Sequence, residues 1–133
     1  MRGGRSIVDW LNDIVWWGEK LARHLESMDE GAFLSDEKTQ DATAKCAEAV
    51  GSAAKEVLDI DPDFDRKYPN ARLAQAYSSR NRLSHGYHSI DYGILWVTVS
   101  RSIPATVDAV KIVLATIGSD DDAGAGDESN RQP

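Results

Sequence analysis

The sequence of 133 residues is poor in the residue types that stabilise small secreted proteins and build metal clusters. Its single cysteine, Cys46, excludes a disulfide within the chain and a cluster of thiolate ligands. No apolar run approaches the roughly 18 residues that a membrane span needs, and the N-terminus lacks the apolar core of a signal peptide. We therefore expect a cytoplasmic protein with no membrane segment and with length for one helical core.

Positive charge is also scarce, since 15 Lys and Arg oppose 22 Asp and Glu and leave a formal net charge of −7. Part of the acidic excess lies in the segment 118–133, which is otherwise rich in Gly and Ser. A strongly acidic protein binds nucleic acid poorly over a broad face. Any such contact must be local, around Arg80 and Arg82 with Arg72 nearby.

Apolar residues recur at helical spacing through most of the chain, and no segment alternates in the manner of a half-buried strand. The predicted helices span residues 6–28, 35–58, 70–86 and 91–117. Short connections between them favour an all-α, antiparallel bundle of four to five helices as a single domain over residues 1–117. Residues 118–133 are predicted to form a disordered acidic tail.

Local signals mark where these helices begin, end and approach each other. Ser6 and Asp9 form a plausible capping box, whereas the second helix should start with Ser35 as its cap. Gly51 lies among alanines and predicts close approach by another helix. Gly86 is the residue type favoured just past a helix end, and Pro104 predicts a kink or split in the last helix.

One stretch combines two guanidinium groups, an imidazole and a phenol: Arg80, Asn81, Arg82, Leu83, Ser84, His85, Gly86 and Tyr87. Cations can hold a phosphodiester, and a histidine can move protons near neutral pH, so no metal or other cofactor is required. On a continuous helix Arg80 and His85 would lie about 140° apart. They converge only where the helix ends at His85, as Gly86 allows. Asn81, one turn before His85, is expected to orient the imidazole.

Plainer interpretations also fit some of these residues. The pair Arg80 and His85 alone is a weak motif, and Tyr87 with His88 could form a helix-capping corner. Cys46 is expected to be buried and inert among alanines. Alternating aspartates suggest a cation site but lack the glycine and terminal glutamate of an EF-hand, so no metal site is expected. These aspartates are Asp59, Asp61, Asp63 and Asp65.

The spacing Arg80-x4-His85-x-Tyr87 resembles the signature of the HEPN superfamily, specifically its HepT-like toxins. The similarity covers roughly residues 7–117. Within it, residues 33–42 resemble the opening of that family's second helix, and residues 48–55, with Gly51, resemble its later turns. Order and spacing together are more specific than the motif alone.

The resemblance implies an all-helical homodimer that is a metal-independent endoribonuclease with Arg80 and His85 as its catalytic pair. RNA would be cleaved by its own 2′-hydroxyl, leaving a 2′,3′-cyclic phosphate. It implies the toxin of a type VII toxin–antitoxin module, whose antitoxin is an MntA-like minimal nucleotidyltransferase that transfers AMP to Tyr87. The supporting or RNA-binding residues are expected to be Asn81, Arg82, Ser84 and His88.

Another class of function stays open: a non-catalytic nucleotide-binding or docking subunit of a nucleotidyltransferase complex. In that case the motif would bind phosphate or the partner's active site. His88 stands where we expect an aromatic or apolar residue in relatives, and it would either assist catalysis or change how Tyr87 is presented. A third possibility is a helical bundle with a purely structural role. It would leave the clustered charges at the end of the predicted helix 70–86 unexplained.

Overall fold

The computed structural model describes residues 4–86 and 89–125, with side chains up to residue 118. These residues contain helices and no strand, which confirms the all-α prediction. The α-helices are α1 (Ile7–His24), α2 (Glu30–Leu34), α3 (Glu37–Ile60), α4 (Phe64–Lys67), α5 (Leu73–His85), α6 (Tyr92–Val97) and α7 (Ile103–Ala125). A 3-10 turn (Pro69–Ala71) precedes α5, and a π turn (Thr98–Ser102) joins α6 to α7.

Short-range side-chain caps set most helix starts. The capping box of α1 is confirmed: Ser6 Oγ accepts from the backbone N–H of Asp9, and Asp9 accepts from that of Ser6. The cap of α3 is Asp36, which corrects the expectation of Ser35. Ser35 instead ends α2, a short helix that Asp29 caps between the first two predicted helices.

The start of α5 is set by a residue outside the helix. The helix begins after the 3-10 turn and not near Asn70 as predicted, because Arg72 takes the left-handed conformation with φ of 50°. Asp65 of α4 supplies the missing cap. Its two carboxylate oxygens accept hydrogen bonds from the backbone N–H groups of Leu73 and Ala74, each at 2.9 Å.

The core centres on α3, which packs against α1 and α5. A Cβ atom on Gly51 would lie 2.3 Å from Cβ of Arg80 and 2.6 Å from the carbonyl oxygen of Ala76, so glycine is required for this contact. The predicted close approach is confirmed. Glu48 contacts Ser84 whereas Gly51 faces Ala76 and Arg80, so α3 and α5 run antiparallel.

The last helical segment is irregular at the proline, as predicted. Pro104 lacks an N–H, and the N–H of Ile103 bonds to the carbonyl of Thr98, five residues back, to form the π turn. The backbone of α7 runs to Ala125, beyond the predicted end at Ile117. The disordered tail stays a prediction, with residues 126–133 outside the described part. No helix in the described ranges combines the length and apolarity needed to cross a membrane.

Candidate active site

The last turn of α5 carries the candidate catalytic residues. The helix ends at His85, and the N–H of Gly86 bonds to the carbonyl of Arg82 at 2.9 Å, so the predicted ending is confirmed. His85 is exposed, whereas Arg80 is partly buried against α3. Tyr87 and His88 lie outside the described residues. The described part of the site therefore consists of the end of α5 and the neighbouring turns of α3.

Arg80 is held in place at two of its nitrogens. Nε donates to Oγ of Ser52 on α3 at 3.3 Å, and Nη1 donates to Oδ1 of Asn81 at 3.1 Å. A guanidinium has five N–H groups, so three remain after these two bonds. The side chain is thus positioned by the protein while most of its donors stay available to a phosphate.

The imidazole of His85 contacts the backbone and not the side chain of Asn81. Nδ1 lies 3.0 Å from the carbonyl oxygen of Asn81. A carbonyl only accepts, so this contact is a hydrogen bond when Nδ1 carries a proton. Nε2 is then the nitrogen that exchanges protons. Asn81 therefore contacts both candidates, Arg80 through its side chain and His85 through its main chain.

The other motif residues point to different neighbours. Arg82 donates from Nη2 to Oγ of Ser79 at 3.3 Å and lines a cleft between α5 and α6. Ser84 donates to a carboxylate oxygen of Glu48 on α3 at 3.2 Å. Within one chain, Arg80 and Arg82 thus lie against separate partners. Arg80 and His85 each contact Asn81, whereas Arg82 contacts Ser79.

The site lies in a locally basic part of an acidic chain. Residues 66–90 contain five Lys or Arg and no Asp or Glu. Arg66 and Lys67 are paired with aspartates. Among the described residues, no salt bridge involves Arg72, Arg80 or Arg82, so these three positive charges are not neutralised by carboxylates. The local positive charge is visible in the sequence of residues 66–90, but the net charge of the whole chain does not reveal it.

Two residues of α3 were missed as parts of the site: Gly51 and Ser52. Gly51 lets α5 approach, and Ser52 accepts the hydrogen bond from Arg80. Neither Gly51 nor Ser52 belongs to the motif around Arg80 and His85, so that motif alone does not indicate them. The available signal was a pair of small residues in an alanine-rich helix, opposite the motif by antiparallel pairing.

The aspartates between α3 and α5 have structural partners. Asp59 pairs with Lys55, Asp61 with Lys67 and Asp63 with Arg66, while Asp65 caps α5. No group of three or more possible metal ligands occurs among the described residues. Cys46 is 1% exposed, and its burial raises the pKa of the thiol, so the expected buried position is confirmed.

The fold and site together define a class: a helical bundle with an arginine and a histidine joined through one asparagine at a helix end. The model of the ribonuclease HepT-like family matches residues 17–113, and the chain belongs to that family. This confirms the relationship that the motif indicated.

Three relatives illustrate the similarity. A protein of Thermococcus cleftensis named probable ribonuclease HepT is 34% identical over 101 residues, covering 76% of this chain and 89% of the relative. A candidate RNase of Methanocaldococcus jannaschii is 29% identical over 118 residues, 89% of this chain and 84% of the relative. One from Caldanaerobacter subterraneus is 25% identical over 105 residues, 79% and 91% of the two chains. No solved structure matches the chain significantly.

Proposed function

We propose that this protein is a metal-independent endoribonuclease with Arg80 and His85 as its catalytic pair. The observation that carries the proposal is the double contact of Asn81, which links a guanidinium with three remaining N–H donors to the exposed imidazole of His85. Membership of the HepT-like ribonuclease family supports RNA as the substrate. The RNA requirement has a chemical cause, since only RNA provides a 2′-hydroxyl.

His85 moves the protons in the proposed reaction. With Nδ1–H donated to the carbonyl of Asn81, neutral Nε2 accepts the proton of the 2′-hydroxyl. The 2′-oxygen then forms a bond to phosphorus while the bond from phosphorus to the 5′-oxygen breaks. The products are a 2′,3′-cyclic phosphate and a 5′-hydroxyl, whose proton comes from a general acid. Acid–base help of this kind contributes about 10²–10⁴-fold in rate.

Arg80 stabilises the charge that develops on the phosphoryl oxygens. Its contacts with Ser52 and Asn81 fix the guanidinium before the substrate binds, so little reorganisation is needed in the transition state. Arginine suits this task because its planar fork can donate two parallel hydrogen bonds to a phosphate.

A homodimer would complete the proposed chemistry. One chain offers a single His85, whereas the reaction uses a base for the 2′-hydroxyl and an acid for the leaving oxygen. Two copies related by a two-fold axis through the motif would bring a second His85 into the same site. They would also add the second chain's Arg80 and Arg82 to the local positive charge.

The biological role that we propose is that of a toxin neutralised by an MntA-like nucleotidyltransferase antitoxin. AMP attached to Tyr87, two residues after His85, would add bulk and negative charge beside the position of the RNA phosphate. Inhibition would then be both steric and electrostatic. The alternative is a non-catalytic nucleotide-binding or docking subunit of a nucleotidyltransferase complex, which would use the same arginines to bind phosphate.

Cleavage of a labelled RNA in the presence of a chelator tests the catalytic proposal. Arg80→Ala and His85→Ala should each lower the rate at least 100-fold. His24→Ala, which changes an exposed histidine on α1, should leave it unchanged. A substrate with 2′-deoxyribose at the cut should resist cleavage. Full activity of His85→Ala, or cleavage of the deoxy substrate, would contradict the mechanism. No cleavage of RNA by the wild-type protein would favour the docking subunit.

Intact mass tests the proposed regulation. The protein expressed with its nucleotidyltransferase partner and ATP should gain one or more AMP units, and Tyr87→Phe should gain none. An unchanged mass in the presence of an active partner would exclude AMP transfer to Tyr87. The ribonuclease proposal would then rest on the cleavage assay alone.

A further inference from the structure

A cleft of about 290 Å³ opens between α5 and α6, beside the helix end that carries His85. Gly86 forms part of its wall, so the cleft adjoins the proposed catalytic site. Its apolar lining consists of Leu83, Ile90, Ile94 and Leu95. The volume is close to the smallest pockets that hold small ligands, roughly 300 Å³. A space of this size suits a small ring system and is too small for a helix.

Two charged side chains lie among the residues that line the cleft. Arg82 is held by Ser79 through one nitrogen and forms no salt bridge with a described residue, so its positive charge is available to an anion. Asp91 caps α6 through Oδ1, which accepts the N–H of Ile94 at 3.0 Å. Its Oδ2 accepts no hydrogen bond from the described residues. A cation, an apolar floor and an acceptor without a hydrogen bond from any described residue thus share one concave surface.

A nucleotide presents the complementary groups: an anionic phosphate, apolar ring faces and N–H donors at the base edge. We infer that this cleft binds one nucleotide of the RNA strand next to the scissile phosphodiester. Arg82 contacts its phosphate, the base lies between the apolar walls, and Oδ2 of Asp91 accepts from an exocyclic amine. Adenine, guanine and cytosine carry such an amine and uracil does not. The inference rests on the proposed ribonuclease function and adds a base preference to it.

The position and charge of the cleft favour a nucleotide over a second copy of the chain. The cleft is continuous with the motif through Arg82 and Gly86, and one of its walls belongs to the segment 66–90, which has no acidic residue, while the other wall begins at Asp91. A protein surface closing this cleft would bury Arg82, which forms no salt bridge with a described residue, unless that surface supplied a carboxylate of its own. Burial of an unpaired charge is costly.

Binding to the His85→Ala protein tests the inference independently of catalysis. Oligoribonucleotides with an abasic residue at successive positions should bind equally well except at one position beside the cut. There the loss should be about tenfold, a value in the range seen when one base contact is removed. Uracil at that position should bind more weakly than the other three bases. Equal affinity for all abasic positions, with the wild-type protein still cleaving, would overturn the inference and leave the ribonuclease proposal intact.

Asp91→Asn provides a sharper test because asparagine caps helices as well as aspartate does. Its oxygen would keep the bond to Ile94, and its NH₂ group would take the place of Oδ2. The acceptor thus becomes a donor, and the preference should move toward uracil, which presents carbonyl oxygens. An unchanged order of preference in Asp91→Asn would contradict the role assigned to Asp91.

Ile94→Trp and Ile112→Trp form a matched pair, since both isoleucines are exposed, by 56% and 68%, and only Ile94 lines the cleft. Filling the cleft with Ile94→Trp should abolish the difference between base and abasic RNA, and Ile112→Trp should preserve it. Dissociation of a dimer by Ile94→Trp, with base discrimination unchanged, would show that a second copy covers the cleft. If the His85→Ala protein discriminates between base and abasic RNA but the wild-type protein cuts no RNA, the ribonuclease proposal fails while the nucleotide site stands.

Discussion

At the scale of single residues, Asn81 has an unusual double role. Its side chain accepts a hydrogen bond from Arg80, and its main-chain carbonyl contacts His85. The sequence predicted that Asn81 orients the imidazole, but the group responsible is one that every residue possesses. Side-chain identity at this position therefore matters for Arg80, while the helix geometry matters for His85.

Asn81→Ala separates these two roles. It removes the acceptor for Arg80 and keeps the carbonyl for His85. Loss of a hydrogen bond to a charged group costs about 1.5–3 kcal/mol, so the cleavage rate should fall roughly 10- to 100-fold with the same pH dependence. A pH–rate profile measures both quantities, and Asn12→Ala on the exposed face of α1 is the control. A displaced profile in Asn81→Ala would mean that the amide does act on the histidine.

At the scale of elements, the sequence predicted those helix starts and ends that depend on contacts within a few residues. The box at Ser6, the helix end at Gly86 and the irregularity at Pro104 all depend on neighbours within a few residues. The start of α5 could not be predicted in this way, because its cap comes from Asp65 on α4. The role of Ser52 was also hidden, since it follows from the pairing of α3 with α5 and not from any motif.

Gly51→Ala should destabilise the protein even though alanine favours helices. The added methyl would meet Cβ of Arg80 and the carbonyl of Ala76, neither of which is the flexible end of a side chain. Such overpacking costs about 1–3 kcal/mol, and it should also lower cleavage by moving Arg80. Denaturant unfolding measures the first effect. At Gly31, a Cβ would meet only Asp29 Oδ1, at 3.6 Å, so Gly31→Ala should be neutral or stabilising.

Helix caps should make the fold sensitive to acid. Hydrogen bonds from Thr39 lower the pKa of Asp36, the cap of α3. Because the folded pKa is below the unfolded value of about 3.9, this stabilisation is complete above that pH and disappears as pH falls through the folded pKa. Asp36→Asn keeps an acceptor without the titration, so its melting temperature should decline less on acidification. An equal decline in both proteins would place the sensitivity elsewhere.

At the scale of the whole molecule, charge is segregated. The chain carries a formal charge of −7, yet the segment 66–90 has no acidic residue. Composition alone predicted that any contact with nucleic acid must be local. Arg80 and Arg82, which form no salt bridge with a described residue, provide such a location. Specific interaction with RNA is therefore expected from a few contacts and not from a general attraction.

The salt dependence of RNA binding should be correspondingly shallow. Each phosphate contact with single-stranded nucleic acid contributes about −0.7 to the slope of log affinity against log salt. Contacts by Arg80 and Arg82 of one chain predict a slope of about −1.4, and those of two chains about −2.8. Titration of the His85→Ala protein at several salt concentrations measures it. A slope several times steeper would require a basic surface beyond these arginines.

The capping of α5 by Asp65 also determines where the chain tolerates interruption. A break between α3 and α4 would keep the carboxylate and the helix that it caps on one fragment. A break within the 3-10 turn would place them on separate fragments, and reassembly would have to restore the cap as well as the packing. For a split enzyme that is switched on by bringing two pieces together, the first position favours efficient recovery and the second favours tight control.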